Sequence, residues 1–191
     1  MEKKCCFIGH RKIEITEDLI KRIDELLERL IVEKGVKTFL FGSRSAFNSL
    51  CHERVTKMQN KYPAIKRIMF ACRSEYAVKK EEKAKLQKSW SAILKKDVRL
   101  KDYDGMQQSE RINAAGREAY VERNQAMINA SEYCVFYYNP YYQPPKNKGL
   151  KGNASEYQPK SGTKLAFDYA CQKKRNGKKT IIVNLCLDDG E

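Results

Sequence analysis

The chain has 191 residues, 41% hydrophobic and 32% charged, enough apolar material for a sizeable core beneath a heavily charged surface. Lys and Arg number 38 against 24 Asp and Glu, a net charge of +14, which suits anionic partners (nucleotides, nucleic acid, an acidic surface) and equally suits a solvated lysine-rich surface. No apolar run approaches the roughly 18–20 residues that span a bilayer, so no membrane partner is expected.

The first element is the run from Cys5 to Arg11, Cys-Cys-Phe-Ile-Gly-His-Arg. Its apolar part reads as a strand buried on both faces, stopped at Gly9 and followed by two potentially cationic side chains, His10 and Arg11. Thr16 is the expected N-cap of a helix with Glu17 and Asp18 in its first turn. Leu19, Ile20, Ile23, Leu26, Leu27, Leu30 and Ile31 recur at helical spacing, and Gly35 closes the segment. Lys37 to Phe41 reads as a second strand ending at Gly42. The loop Gly42-Ser43-Arg44-Ser45 opens a second helix with Phe47, Leu50, Cys51, Val55 and Met58 inward, and Tyr62-Pro63 stops it.

Ile65 to Ala71 is the third predicted strand. Residues 79–101 carry nine Lys/Arg against three Asp/Glu, on a predicted helix whose charge is more often a solvated face than a nucleic-acid stripe. Val98 to Leu100 is a candidate short strand, and polar Asp102 to Ser109, with Gly105, reads as a loop. A helical pattern returns from Asn113 to Ala130, with Ala119, Tyr120, Ala126 and Met127 as buried positions. Tyr133 to Tyr138 is the fifth strand. Residues 139–160 hold four of the five prolines and read as a flexible insertion or lid. Ser161-Gly162-Thr163 starts a last helix bearing Leu165, Ala166, Tyr169 and Ala170, with Lys173, Lys174 and Arg175 in its final turn. Thr180 to Leu185 is the last strand. Strands alternating with helices imply a single α/β domain over 1–191, with a mostly parallel, doubly wound sheet covered by helices on both faces.

Seven cysteines form an odd set without Cys-x-x-Cys spacing, and there are only two histidines, so no zinc pattern assembles and no metal is expected. Most of these cysteines sit in apolar runs as small hydrophobes. Reduced thiols fit an expected cytoplasmic location, with no signal peptide read at the N-terminus. The oligomeric state stays open, a homo-oligomer included.

Three loops stand out: Gly9-His10-Arg11, Gly42-Ser43-Arg44 and Ser161-Gly162-Thr163. Each follows a strand or opens a helix. A helix start offers unpaired N–H groups and partial positive charge to a phosphate, glycine admits close approach, and arginine can grip an anion at two points. Each also has a plain reading, as a turn, an ion pair or a helix cap. One loop alone is weak; three on one edge of a parallel sheet carry more weight.

Gly-His-Arg, Gly-Ser-Arg, then Glu122-Arg123-Asn124-Gln125-Ala126-Met127 and Ser-Gly-Thr-Lys-Leu-Ala come in an order that resembles the SLOG superfamily, in particular its YpsA-like branch. The resemblance implies a Rossmann-like fold that binds nucleotides or nucleotide-derived ligands. It also implies ligand or phosphate contacts at Gly9, His10, Arg11, Gly42, Ser43, Arg44, Arg123, Asn124, Ser161, Gly162 and Thr163. Two departures matter. A Gly-Gly-Ala-x-Gly type of run is replaced by Gly-Ser-Arg-Ser-Ala-Phe, so Arg44 and Phe47 reshape that side. The glutamate that phosphoribohydrolase relatives use is Ala166 here, which leans against hydrolysis, and no catalytic residue is assigned. The leading expectation is therefore a sensor or regulatory domain for a nucleotide or an ADP-ribose-like ligand, with no other cofactor. The alternatives are single-stranded nucleic-acid binding, as in the related DNA-processing protein DprA, and N-glycosidic chemistry by another carboxylate such as Glu53, Asp104 or Glu122. Tyr141 and Tyr142 are candidates for stacking on a base.

Overall fold

The computed structural model describes residues 2–42, 45–71, 103–108, 117–142 and 161–186. Among them six strands form one sheet: β1 (Lys3–Gly9), β2 (Val36–Phe41), β3 (Lys66–Ala71), β4 (Gly105–Gln108), β5 (Tyr133–Tyr137) and β6 (Ile181–Asn184). The four helices are α1 (Glu17–Val32), α2 (Ala46–Lys61), α3 (Arg117–Ala130) and α4 (Gly162–Arg175). The strand order is β4-β3-β2-β1-β5-β6, and every adjacent pair is parallel. From β1 the chain winds outward through β2, then restarts on the other side at β5. This is the Rossmann-like α/β fold expected from the alternation of elements.

Alternate residues of β1 serve two cores. Cys5 and Phe7 face α1 and α2, with Leu19, Ile23, Leu27, Phe47 and Val55 buried around them. Cys6 and Ile8 face the opposite layer, where Met127, Ile128, Ala166 and Ala170 come from α3 and α4. A strand buried on both faces must be apolar throughout, which explains the unbroken run in the sequence. Phe7 stacks on Phe39 at 6.0 Å and on Phe41 at 5.2 Å between ring centroids. Each such side chain contributes about 1.5–3 kcal/mol by leaving water.

The helix ends follow their chemistry. Thr16, Ser45 and Ser161 cap α1, α2 and α4, each hydroxyl oxygen accepting from a backbone N–H three residues on at 3.1 Å. Gly35 takes φ +68°, the left-handed turn out of α1. Lys173 does more than complement its own helix: its Nζ donates to the carbonyls of Ile128 at 2.6 Å and Ser131 at 3.1 Å, closing the end of α3. Between α1 and α2, Arg54 makes a two-point bond to Asp24, with Nε on Oδ1 at 2.7 Å and Nη2 on Oδ2.

Three expectations need revision or lie elsewhere. Residues 105–108 form an edge strand, not a loop. An edge strand pairs on one side only, so it can do without an apolar pattern. Its entry is held by Asp104, whose carboxylate accepts from the Arg67 backbone N–H and the Gln59 amide, both at 2.7 Å, and from the Arg67 guanidinium. Tyr120 is 46% exposed rather than buried, and the inward positions of α3 include Arg123, Asn124 and Ile128. The basic segment 79–101, the candidate strand 98–100 and residues 143–160 lie outside the described residues.

β1 ends on glycine for a packing reason. A Cβ on Gly9 would fall 2.4–2.6 Å from three carbons of Phe47. The substitution Gly9→Ala should therefore lower stability in urea titration by about 1–3 kcal/mol through overpacking. A Cβ on Gly162 would meet nothing within 4 Å. Gly162→Ala should leave stability unchanged or raise it by up to about 1 kcal/mol.

Candidate functional site at the carboxyl edge of the sheet

In an open parallel sheet, ligands collect outside the carboxyl ends of the strands, where the winding reverses. Here that place is between β1 and β5, whose registers run together from Cys5 beside Tyr133 to Gly9 beside Tyr137. His10 emerges from β1 at this point and is 2% exposed. Its backbone N–H donates to the Tyr137 carbonyl at 3.3 Å, extending the β1–β5 ladder.

The His10 ring is tied to the turn after β5. Asn139 N–H donates to Nε2 at 2.9 Å, which assigns the proton of the neutral ring to Nδ1. The Tyr142 ring stacks on the imidazole at 3.9 Å between centroids, and Tyr138 lies at 6.0 Å. Asn139 shapes the turn itself: its Oδ1 accepts from Tyr141 N–H at 2.8 Å and its carbonyl from Tyr142 N–H at 3.1 Å. Tyr142 is thus already stacked on protein, and Tyr141 is fully presented to solvent. Asn184, one strand over, donates to the Tyr138 carbonyl and accepts from its N–H, both at 2.9 Å.

Arg123 and Asn124 enter from α3. The Arg123 guanidinium reaches the end of β2 because Gly42 has no side chain; a Cβ there would lie 2.9 Å from Arg123 Nε and 2.6 Å from Met127 Sδ. Arg123 is 2% exposed and sits 5.0 Å from the Tyr120 ring centroid. Asn124 is 6% exposed, and its Oδ1 is buried with no hydrogen-bond partner among the described residues. One Glu122 oxygen, Oε2, is buried in the same condition. Nearer the end of α3, Asn129 bonds Tyr169 Oη at 2.9 Å, tying α3 to α4.

The start of α4 contributes a third wall. Ser161 caps the helix through Lys164 N–H at 3.1 Å, Thr163 is buried, and the space beside Gly162 is open. Lys164 lies 3.4 Å from Asp168 and 5.9 Å from the Tyr138 ring centroid. Tyr138 in turn stacks on Phe167 at 4.7 Å.

The structure thus gathers Gly9, His10, Gly42, Arg123, Asn124, Ser161, Gly162 and Thr163 at one edge. Ser43 and Arg44 are outside the described residues. Arg11 is exposed; it is the backbone carbonyl of Arg11 that has a role, accepting from Ala46 N–H at 3.0 Å where α2 begins. Gly9 and Gly42 both make room for helix side chains. Asn139 and Asn184 were not singled out from sequence, although Asn139-Pro140 directly after a strand is a turn signal at the productive edge.

A family model described as the YspA SLOG family matches residues 6–169. The chain belongs to this family, the YpsA branch of SLOG. Membership extends to nucleotide-related binding or transfer in general. No curated protein matches the chain. Among the described residues, no helix is long and apolar enough to cross a membrane, and no group of three or more His, Cys, Asp or Glu is placed to hold a metal ion. Burial pushes the thiols of Cys5, Cys6 and Cys51 well above 9.0, so they remain protonated packing groups.

Burial lowers the His10 pKa from 6.5, partly offset by the Asn139 carbonyl. The unfolded chain therefore takes up this proton at a higher pH than the folded one. The stability contributed by neutral His10 is complete above about pH 6.5 and is lost as pH falls through the lower folded pKa. Urea midpoints from pH 7.5 down to 5 should fall more steeply for the native chain than for His10→Asn.

Proposed function

We propose that the chain binds a phosphorylated, nucleotide-type ligand, of the nucleotide or ADP-ribose kind, at the carboxyl edge between β1, β5 and the start of α4, and acts as a sensor or regulator. The observation that carries this reading is a buried polar pair from α3. Arg123 brings a permanent cation to the end of β2, next to β1, and Asn124 beside it carries a buried acceptor without a partner among the described residues. Leaving a buried acceptor unpaired is costly, and a ligand with donor groups would complete it.

Phosphate would rest at the start of α4, where N–H groups and the helix dipole favour an anion and nothing crowds Gly162. Thr163, Arg11 and the loop at Ser43 and Arg44 are the further candidate contacts, and Arg123 the charge partner. His10 serves by holding the Asn139–Tyr142 turn in place rather than by moving protons. The position three residues after Thr163 that a hydrolytic relative fills with glutamate is Ala166, buried at 2% in the α4 core, so the reading is of binding without hydrolysis.

Calorimetry of the purified chain with AMP, ADP, ATP, NAD, ADP-ribose and cyclic nucleotides tests this, alongside mass spectrometry of any small molecule released on denaturation. Binding of at least one of these is expected. Arg123→Met, which keeps bulk beside Gly42, and Thr163→Val should each weaken it by about tenfold or more, the scale of a lost charge-assisted hydrogen bond. No binding across the panel and no released ligand would defeat the proposal. So would full affinity in both variants.

A further inference from the structure

The opposite, amino edge of the sheet carries a separate pattern. In spatial order from β3, each strand mouth but one presents lysine. Lys66 opens β3, Lys34 and Lys37 flank the start of β2, Lys3 begins β1, and Lys178 and Lys179 precede β6. The exception is Glu132, before β5, which Lys179 covers at 2.6 Å. Glu33 is met by Lys34 at 3.7 Å, and Glu2 accepts from Thr38 Oγ1 at 2.7 Å. Lys37, Lys66 and Lys178 are exposed and have no acidic partner among the described residues.

Helix dipoles do not account for this row. All four helices end at this edge, and the cations that answer their carbonyl ends are in their own last turns or cap a neighbour: Arg29, Lys61 and Lys173 to Arg175. The strand-mouth lysines come in addition. They extend over four strand steps, about 19 Å at ~4.8 Å per step. That length matches five or six phosphates along one strand of a duplex, spaced about 3.4 Å along the axis.

We infer that the amino edge is a docking surface for the phosphate backbone of duplex nucleic acid, gripped without reading sequence. The charge row supplies the attraction. Single strands are held chiefly by stacking of bases on aromatic rings. The described aromatic rings around these lysines are taken up by the protein: Tyr62 is half-buried and engaged with Glu28 and Lys61, Tyr103 packs on Phe41 and His52, and Tyr133 at the start of β5 is buried. An acidic membrane would be met by apolar anchors, and the two exposed large apolar residues near this edge among the described residues, Val32 and Ile181, are single aliphatic side chains on separate elements. The surface lies at the other end of the strands from the nucleotide site, so the inference stands independently of that reading.

Fluorescence anisotropy of the full chain with a labelled 20-base-pair duplex of arbitrary sequence, titrated over salt, provides the test. With about four phosphates neutralised, log K should fall against log salt with a slope near −4, roughly 250-fold between about 50 and 200 mM. The triple variant K37Q/K66Q/K178Q should bring the slope to about −1, while K12Q/K21Q/K57Q, with equal charge removed elsewhere, should leave it near −4. Thermal melting of both variants confirms folding, and undiminished nucleotide titration of the first separates the two sites. The inference is overturned if no duplex binds at low salt. It is also overturned if the slope of the first variant is unchanged, which would assign the binding to the basic segment 79–101. Tighter binding of a single strand of the same length, or binding to phosphatidylserine vesicles without duplex binding, would overturn it as well.

Discussion

The architecture depends on how closely helices approach the ends of the two central strands. Phe47 of α2 occupies the space that a β-carbon of Gly9 would take, and Arg123 and Met127 of α3 do the same above Gly42. These contacts lie on opposite faces of the sheet. Together they draw one helix start and one buried arginine onto the carboxyl edge. A side chain at Gly9 would press on the Phe47 Cβ and ring, close to the α2 backbone, whereas one at Gly42 would displace the ends of the Arg123 and Met127 side chains. Packing at the strand ends and the geometry of the site are therefore one constraint.

A second layer of order comes from side chains that complete backbone bonds where the ladders run out. His10 receives the Asn139 N–H, Asn184 pairs with both backbone groups of Tyr138, and the Asn48 amide donates to the Phe7 carbonyl at 2.7 Å. Lys173 closes the end of α3. Buried backbone groups need partners, and each of these side chains supplies one that secondary structure cannot. This is why residues that look functional by type, a histidine and several asparagines, hold loops in register. Arg123 and Asn124 stand apart, because their polarity is buried beside the end of β2 and Asn124 leaves an acceptor unfilled among the described residues. The two edges of the sheet consequently differ in kind: a walled, partly buried polar recess at one, an open row of solvated ammonium groups at the other.

Much of this was legible in the sequence. The apolar runs, the stripe of α1, the caps at Thr16 and Ser161 and the glycines that end strands are local signals, and periodicity and capping chemistry act over a few residues. The family likewise rested on short motifs in a fixed order and is borne out by the match over residues 6–169. Edge strand β4 was not legible, since a strand paired on one side, pinned by Asp104 to Arg67, has no pattern of its own. Neither was the inward turn of Arg123 and Asn124 in place of Tyr120. The place of Arg123 depends on Gly42, a residue far away in the chain.

The glycines ending β1 and β2 make the same division. By itself the sequence determined that two buried strands stop at glycine and that polar residues follow, because strand burial and helix capping are written in neighbouring residues. Only the tertiary structure decided what those glycines are for. Whether a missing side chain admits a ligand or a helix depends on which atoms from distant segments arrive there. At Gly9 and Gly42 those atoms are Phe47, Arg123 and Met127, while beside Gly162 the space is open.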